Sequence, residues 1–131
     1  MTGPGRSAKV ERIWFEPQRA PETASPVLYR GRLYSVTQNG IMSCYEPATG
    51  KLHWAERLEA GKGYRAALVA GDGKVYAQSH WGTTAVIDAS SEAFRALAYN
   101  ELGEGGINAS PAIGGGCLLL RTAEHLFCIK K

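Results

Sequence analysis

Hydrophobic and polar positions along this chain alternate over short distances and are interrupted by turn residues. The runs Leu33–Thr37 and Ile41–Glu46 are rich in apolar, aromatic and β-branched residues, which is typical of β-strands. Between these runs lies the pair Asn39-Gly40, a strong signal for a tight hairpin. No stretch shows a sustained helical period with helix caps. The pattern therefore predicts an all-β protein.

An internal repeat divides the chain into similar units. A shift of 42 positions, which takes residue 34 to residue 76, aligns Ala24–Trp54 with Ala66–Ala96 without a gap. A further shift of 43 positions, from 66 to 109, returns the triplet Ala24-Ser25-Pro26 as Ala109-Ser110-Pro111. Units of about forty residues with four short strands each are typical of β-propeller blades. The sequence thus predicts four-stranded antiparallel sheets arranged as propeller blades.

The predicted blades are unequal. Two complete blades are expected at residues 24–58 and 66–99, and three strands of a third blade at 109–130. Val10–Phe15 resembles a fourth strand without a preceding three, and residues 1–9 are predicted to be a flexible leader. The second repeat departs from the first by placing Ala96 where the first has Trp54.

The strand count predicts an assembly. One orphan strand, two full blades and three further strands amount to three blades, whereas closed propellers typically have four to eight. The orphan strand at 10–15 matches the strand that the third blade lacks, so we expect a homodimer that closes a six-bladed ring by exchanging this strand. The alternative is that the chain is the C-terminal part of a longer propeller.

Two motifs carry a family resemblance. Residues 24–36 read A-S-P-V-x-x-x-G-R-L-Y-S-V, and residues 39–54 read N-G-x-x-x-C-Y-E-P-A-T-G-K-L-x-W. Both resemble the PQQ-like β-propeller repeat family, and residues 112–128 resemble the last blade of such proteins from bacteria. The resemblance implies the fold. It leaves the function open, because scaffolds, assembly factors and quinoprotein dehydrogenases all use these repeats.

No cofactor or metal site is expected from the sequence. Within the family, the resemblance implies that dehydrogenases hold PQQ with an adjacent Cys-Cys pair, a Trp platform and Ca²⁺ ligands. Here Cys44, Cys117 and Cys128 stand apart in the sequence. With no CxxC pair and an odd number of cysteines, neither a disulfide framework nor a zinc site is predicted.

The candidate ligand-binding residues are His80 and Trp81. They occupy the turn that aligns with Gln38-Asn39 in the first repeat, and an exposed Trp at a propeller rim can stack on a sugar, a peptide or a base. The same Trp can instead pack on the next blade. His53 and His125 stand alone in the sequence, without a neighbouring nucleophile or a second ligand.

A binding role therefore agrees best with the sequence, because no Ser/His/Asp, Cys/His or close carboxylate arrangement is readable. We predict a non-catalytic scaffold or binding module with a protein or carbohydrate ligand at one rim. The alternative is a fragment of a quinoprotein or sugar-active propeller enzyme, whose cofactor residues would lie elsewhere.

Charge and hydropathy exclude two classes of partner. The 131 residues carry a formal net charge of +3, and their basic residues are scattered, whereas a nucleic-acid surface needs Lys and Arg clustered on one face. No apolar run approaches the roughly twenty residues that a membrane helix needs, and no hydrophobic signal region opens the sequence. We therefore expect a soluble protein that contacts neither nucleic acid nor the membrane interior.

Overall fold

The computed structural model describes residues 11–59, 63–114 and 116–130, which form eleven strands and no helix. The strands make three separate antiparallel sheets of four, four and three strands. Within each sheet, strands that are consecutive in sequence are neighbours. The predicted all-β propeller-blade architecture is confirmed.

The eleven strands fall into three blades, one for each sheet. Blade 1 contains β1 (Val27–Tyr29), β2 (Arg32–Val36), β3 (Ile41–Tyr45) and β4 (Leu52–Arg57). Blade 2 contains β5 (Val69–Gly71), β6 (Lys74–Gln78), β7 (Thr83–Asp88) and β8 (Ala96–Glu101). Blade 3 contains β9 (Ala112–Gly114), β10 (Cys117–Arg121) and β11 (Leu126–Lys130).

The first hairpin of each complete blade has the same backbone geometry. Arg30 and Gly31 link β1 to β2 with φ values of 50° and 77°, and Asp72 and Gly73 link β5 to β6 with 54° and 75°. Two consecutive residues with positive φ make the turn type whose twist matches that of the flanking strands. The glycines that recur in the repeat are therefore turn residues.

Both faces of blade 2 are buried, each against a different neighbour. Val75 and Ile87 join the core shared with blade 1, which contains Trp54. Tyr76 and Val86 join a second core with Leu118 and Leu120 of blade 3. Because alternate residues of a strand point to opposite faces, the middle strands β6 and β7 of blade 2 are buried almost throughout. This explains their imperfect polar alternation.

The structure corrects the aligned position of the fourth strand in blade 2. Trp54 pairs with Cys44, and Ala98 pairs with Val86, the residue equivalent to Cys44. Ala98, not Ala96, therefore takes the place of Trp54. The gapless alignment missed this because eight residues separate the paired Ile87 and Ala96, whereas six separate Tyr45 and Leu52.

The strand predicted at Val10–Phe15 is not seen in the described part of the chain. Val10 and residues 1–9 lie outside the described residues, and Glu11–Phe15 form no strand. A strand is defined by hydrogen bonds to a neighbouring strand, and in the described single chain nothing pairs with this segment. Its pairing with a second chain stays a prediction.

None of the described residues forms a helix that is long and apolar enough to cross a membrane.

Candidate binding surface at one rim

Turns and connectors of successive blades are joined into one continuous rim. The connector after blade 1 donates from the backbone N–H groups of Gly63 and Tyr64 to the carbonyl of Gln38, at 2.7 and 3.3 Å. The connector after blade 2 repeats this arrangement, because Gly106 and Ile107 donate to the carbonyl of His80 at 2.9 and 3.2 Å. Each connector thus ties down the β2–β3 or β6–β7 turn of its own blade.

The same connectors reach the turn of the following blade. The N–H of His80 donates to the carbonyl of Gly63 at 2.6 Å, and the N–H of Ala123 donates to that of Gly105 at 3.4 Å. We call the turn 79–82, the connector 103–108 and the turn 122–125 the rim cluster. Its backbone is held by hydrogen bonds from two directions, which gives its side chains a fixed platform.

Two glycines allow the backbones of the rim cluster to approach. Gly82 has a φ of 103°, and a Cβ there would collide with the carbonyl oxygen of Glu104. Gly106 has a φ of 79°, and a Cβ there would lie 2.6 Å from Cβ of Ala123. The glycine-rich stretch after blade 2 is therefore required by close backbone packing and by left-handed conformation.

The structure brings the two predicted ligand-binding residues together. The His80 and Trp81 rings meet edge to face with centroids 4.7 Å apart. Nδ1 of His80 lies 3.1 Å from Oδ1 of Asn108, which orients the imidazole. The Trp81 indole lies over the backbone of Gly63 and is 67% exposed. A ligand-binding role for His80 and Trp81 stays a prediction.

A second group of polar side chains was missed by the sequence interpretation, which treated His125 as isolated. Nδ1 of His125 lies 2.9 Å from Oε1 of Glu104, and the Thr122 hydroxyl donates to the same carboxylate. These hydrogen bonds lower the pKa of Glu104. The bond from Thr122 has the largest effect, and the bond from His125 has the next largest. The bond to Glu104 raises the pKa of His125. The sequence showed only that Glu104 follows the second repeat and that His125 lies between two strands of the third, and it did not show that the two residues meet.

This group also bears on metal binding. Ligand atoms of Glu104, Glu124 and His125 lie within 4.8 Å of one another, although the sequence predicted no metal ligands. Glu104 and His125 already bond each other and Glu124 is exposed. Among the described residues this arrangement can act as a polar surface beside Trp81.

A groove separates the outer parts of blades 2 and 3. It measures 440 Å³ and is lined by strand residues of both blades, with apolar walls formed by Val86, Leu97, Ala98, Leu118 and Ile129. At the position of Ala98, blade 1 has Trp54, which is buried and packs edge-on against Phe94 at 5.2 Å. The inter-blade groove thus lies where blade 2 has a small residue in place of Trp54 and where blade 3 lacks a fourth strand among the described residues.

Comparison with known proteins identifies related folds. Residues 8–91 match the model of a PQQ-repeat family described as outer membrane protein assembly factor BamB. No curated protein matches the chain in sequence.

Solved structures show the same fold at low identity. BamB from Moraxella catarrhalis aligns with a TM-score of 0.65 and 17% identity over 88% of this chain and 38% of that protein. Quinohemoprotein alcohol dehydrogenase from Comamonas testosteroni aligns with a TM-score of 0.60 and 19% identity over 78% and 17%. The computationally designed Ika8 protein gives 0.64 and 16% over 81% and 33%. The chain thus spans about two-fifths or less of each of these proteins.

Proposed function

Because the chain belongs to the PQQ-like repeat family described as outer membrane protein assembly factor BamB, we propose that it is a non-catalytic propeller module that binds a protein partner at its rim. The observation that carries this proposal is the exposed Trp81 on the hydrogen-bonded rim cluster. The family resemblance inferred from the sequence is itself confirmed.

The rim has the physical properties of a recognition surface. Trp is enriched among the residues that dominate protein–protein binding energies, and it contributes most when its surroundings are already ordered. Trp81 is held by the backbone bonds of its turn and by contact with His80 and Gly63. The neighbouring Glu104 and His125 add a polar edge, as the margins of protein interfaces do.

A protein is favoured over a carbohydrate as the ligand. The matched family model is named for an assembly factor, which is a role carried out on proteins. No specific observation among the described residues favours the alternative of a quinoprotein or sugar-active enzyme fragment, and the likeness to a dehydrogenase concerns the fold.

The module is proposed to work as part of a ring. Three blades are fewer than the four to eight that close a propeller, and two copies supply six. The alternative is that further blades belong to the same longer chain. In either arrangement the rim cluster lies within blades 2 and 3 and is complete in this chain.

The test is a comparison of Trp81→Ala with the unchanged protein on two probes, a random peptide library displayed on phage and a glycan array. We expect peptides selected on the unchanged protein to bind Trp81→Ala at least about tenfold more weakly, since a central Trp contributes more than about 1.4 kcal/mol. Leu52→Ala is the control. Leu52 is also an exposed apolar residue, at 36%, but it begins β4 at the end of blade 1 opposite the β2–β3 turn.

Two results would contradict the proposal. Selected peptides that bind Trp81→Ala as well as the unchanged protein would remove Trp81 from the binding surface. Selective binding of oligosaccharides in a Trp81-dependent manner, without peptide binding, would assign the rim to carbohydrates.

A further inference from the structure

We propose that residues 11–16 of one copy dock on blade 3 of a second copy as its fourth strand and place Ile13 and Phe15 in the inter-blade groove. This inference rests on the proposed ring and names the contact that closes it. It is carried by the position of Trp14, by the exposure of its neighbours and by the open edge of β11.

Trp14 packs on blade 1 at the same position at which Trp54 packs on blade 2. Leu52 and Ala96 occupy the same register position at the start of a fourth strand, since they pair with the equivalent residues Tyr45 and Ile87. Gly50 lies two residues before Leu52, and Phe94 lies two residues before Ala96, so Gly50 and Phe94 are equivalent positions. Trp54 packs against Phe94 at 5.2 Å.

Trp14 packs on the equivalent Gly50, where a Cβ would lie 2.6 Å from Cδ2 of the indole. Because Trp54 belongs to the fourth strand of the preceding blade, Trp14 marks the place of a fourth strand in a blade before blade 1.

Side-chain contacts hold the segment 11–16 in this place. Nε1 of Trp14 donates to the carbonyl of Pro47 at 2.7 Å, and its ring centroid lies 5.6 Å from that of Tyr45. The hydroxyl of Tyr45 donates to Oε1 of Glu16 at 2.9 Å, and Arg19 lies 3.1 Å from the same oxygen. The segment is therefore presented on blade 1 before any partner binds.

The residues on either side of Trp14 are exposed apolar side chains. Ile13 is 75% and Phe15 is 64% exposed, whereas Trp14 between them is half-buried. In an extended chain, alternate side chains point to opposite sides. Ile13 and Phe15 thus present apolar surface on the side facing away from blade 1, where the Arg12 guanidinium lies 4.7 Å from the centre of the Phe15 ring. In a fourth strand, this side faces the preceding blade.

Blade 3 has the matching receptor. Among the described residues β11 pairs with β10 on one side, and its other edge is unpaired. Leu126 and Ile129 on this strand are 74% and 37% exposed. On blade 2 the corresponding edge is covered by β8, whose Ala96 lies beside Ile87 and whose Tyr99 lies beside Ala85. A fourth strand on blade 3 would lie along β11 and over the inter-blade groove.

The register of the contact follows from the repeat. Cys44 pairs with Tyr34, and Cys128 pairs with Leu119, the residue equivalent to Tyr34, so Cys44 and Cys128 correspond. In blade 1, Trp54 pairs with Cys44 and Ala55 pairs with Ser43.

Trp14 would then lie beside Cys128 of the second copy, and Phe15 beside its Phe127. Phe127 packs on the core between blades 2 and 3, so Phe15 enters an apolar environment. A two-fold axis fills both vacancies at once.

The first experiment is a disulfide cross-link. Phe15→Cys and Phe127→Cys are made in separate chains that also carry Cys117→Ser and Cys128→Ser, and the two proteins are mixed and oxidised. We expect a cross-linked species at twice the chain mass of 14.1 kDa only when both variants are present. The control pair is Phe15→Cys with Ile113→Cys. Ile113 is on the inner strand β9 and is 36% exposed.

The second experiment measures mass in solution by light scattering. The unchanged protein is expected to be a dimer, and Ile13→Asp with Phe15→Asp is expected to weaken dimerisation at least about tenfold per side chain. Trp81→Asp, which changes an equally exposed apolar residue at 67%, should leave the dimer intact. Circular dichroism of the double variant tests whether it is folded, and the comparison of masses is made on folded protein.

The outcomes separate this contact from the proposed function. A dimer that survives the double variant, without the Phe15–Phe127 cross-link, overturns the docking of segment 11–16 and assigns the dimer to another contact. A monomeric unchanged protein overturns the closure by a second copy altogether. Loss of Trp81-dependent peptide binding is a separate result, because the rim cluster lies within one chain.

Discussion

Single residues of the rim cluster are constrained by backbones that belong to different blades. Gly82 is in a turn of blade 2, and the carbonyl that limits it belongs to Glu104 in the following connector. Glu104 in turn bonds His125 in a turn of blade 3. A substitution at either position therefore affects the contact between two blades as well as its own turn.

The first prediction concerns Gly82→Ala. A left-handed conformation costs a non-glycine residue about 1–2 kcal/mol, and the collision with Glu104 adds about 1–3 kcal/mol, so the free energy of unfolding should fall by both. Gly103→Ala is the matched control, since Gly103 also has a positive φ, 86°, but no atom lies within 4 Å of its Cβ position. The measurement is urea unfolding. Equal losses in the two variants would show that the close approach has no cost.

The second prediction concerns pH. Because the pKa of His125 is raised above 6.5, its bond to Glu104 stabilises the fold below that pH and is lost as the pH rises through the raised value. Because the pKa of Glu104 is lowered below 4.5, the stabilisation from this carboxylate is lost as the pH falls through the lowered value. The pair is therefore strongest between these two transitions.

His125→Gln should accordingly destabilise the protein more at about pH 5.5 than at about pH 8.5. The measurement is urea unfolding of both proteins at the two pH values. His53→Gln is the control, because Nε2 of His53 lies 4.0 Å from Glu46 and forms a looser contact. An equal effect of His125→Gln at both pH values would be evidence against the charged pair.

At the scale of elements, the fourth strands determine how tightly neighbouring blades pack. Trp54 on β4 fills the space between blades 1 and 2, where it contacts Tyr34 and Phe94. Ala98 on β8 leaves the corresponding space between blades 2 and 3 as a groove. One interface is therefore closed within the chain, and the other presents an apolar surface.

The third prediction follows from this difference. Trp54 is 8% exposed, so Trp54→Ala should cost about 3–5 kcal/mol through the cavity it leaves. Trp81→Ala removes the same side chain from a 67% exposed position and should change the free energy of unfolding by no more than about 0.5 kcal/mol. Thermal unfolding of both variants provides the comparison. A loss of several degrees for Trp81→Ala would make Trp81 a packing residue and weaken its proposed role in recognition.

For the whole molecule, stability is a sum over neighbouring blades. Blade 2 is buried on both faces, whereas blades 1 and 3 each have one neighbour within the described chain. In repeat proteins each unit is stabilised by its own contacts and by its interfaces with adjacent units. The outer blades would therefore gain most from the proposed ring closure, in which the segment 11–16 and the edge of β11 take part.

The sequence by itself determined the strands of the three blades, their turns and the blade repeat, but the strand that it predicted at Val10–Phe15 is not formed by the described residues of the single chain. Positions such as Gly31 and Gly73 report a positive φ that only the local backbone requires, and alternating apolar residues report which strands are buried. These signals depend on residues a few positions apart, so they are readable without a structure. The turn that carries Trp81 was likewise predictable, because it aligns with the Asn-Gly turn of the first repeat, but the sequence left open whether Trp81 is exposed or packs on the next blade.

Only the tertiary structure decided which residues meet across blades. The two extra residues before β8 moved the counterpart of Trp54 from Ala96 to Ala98. The sequence alignment remained acceptable without a gap, so it did not reveal that this loop is longer. The contacts of Glu104 with His125 and of Trp14 with Gly50 join residues 21 and 36 positions apart. Such contacts form only when separate sheets pack together. They are stabilised by residues that are close in space but distant in sequence, so the local sequence pattern does not predict them.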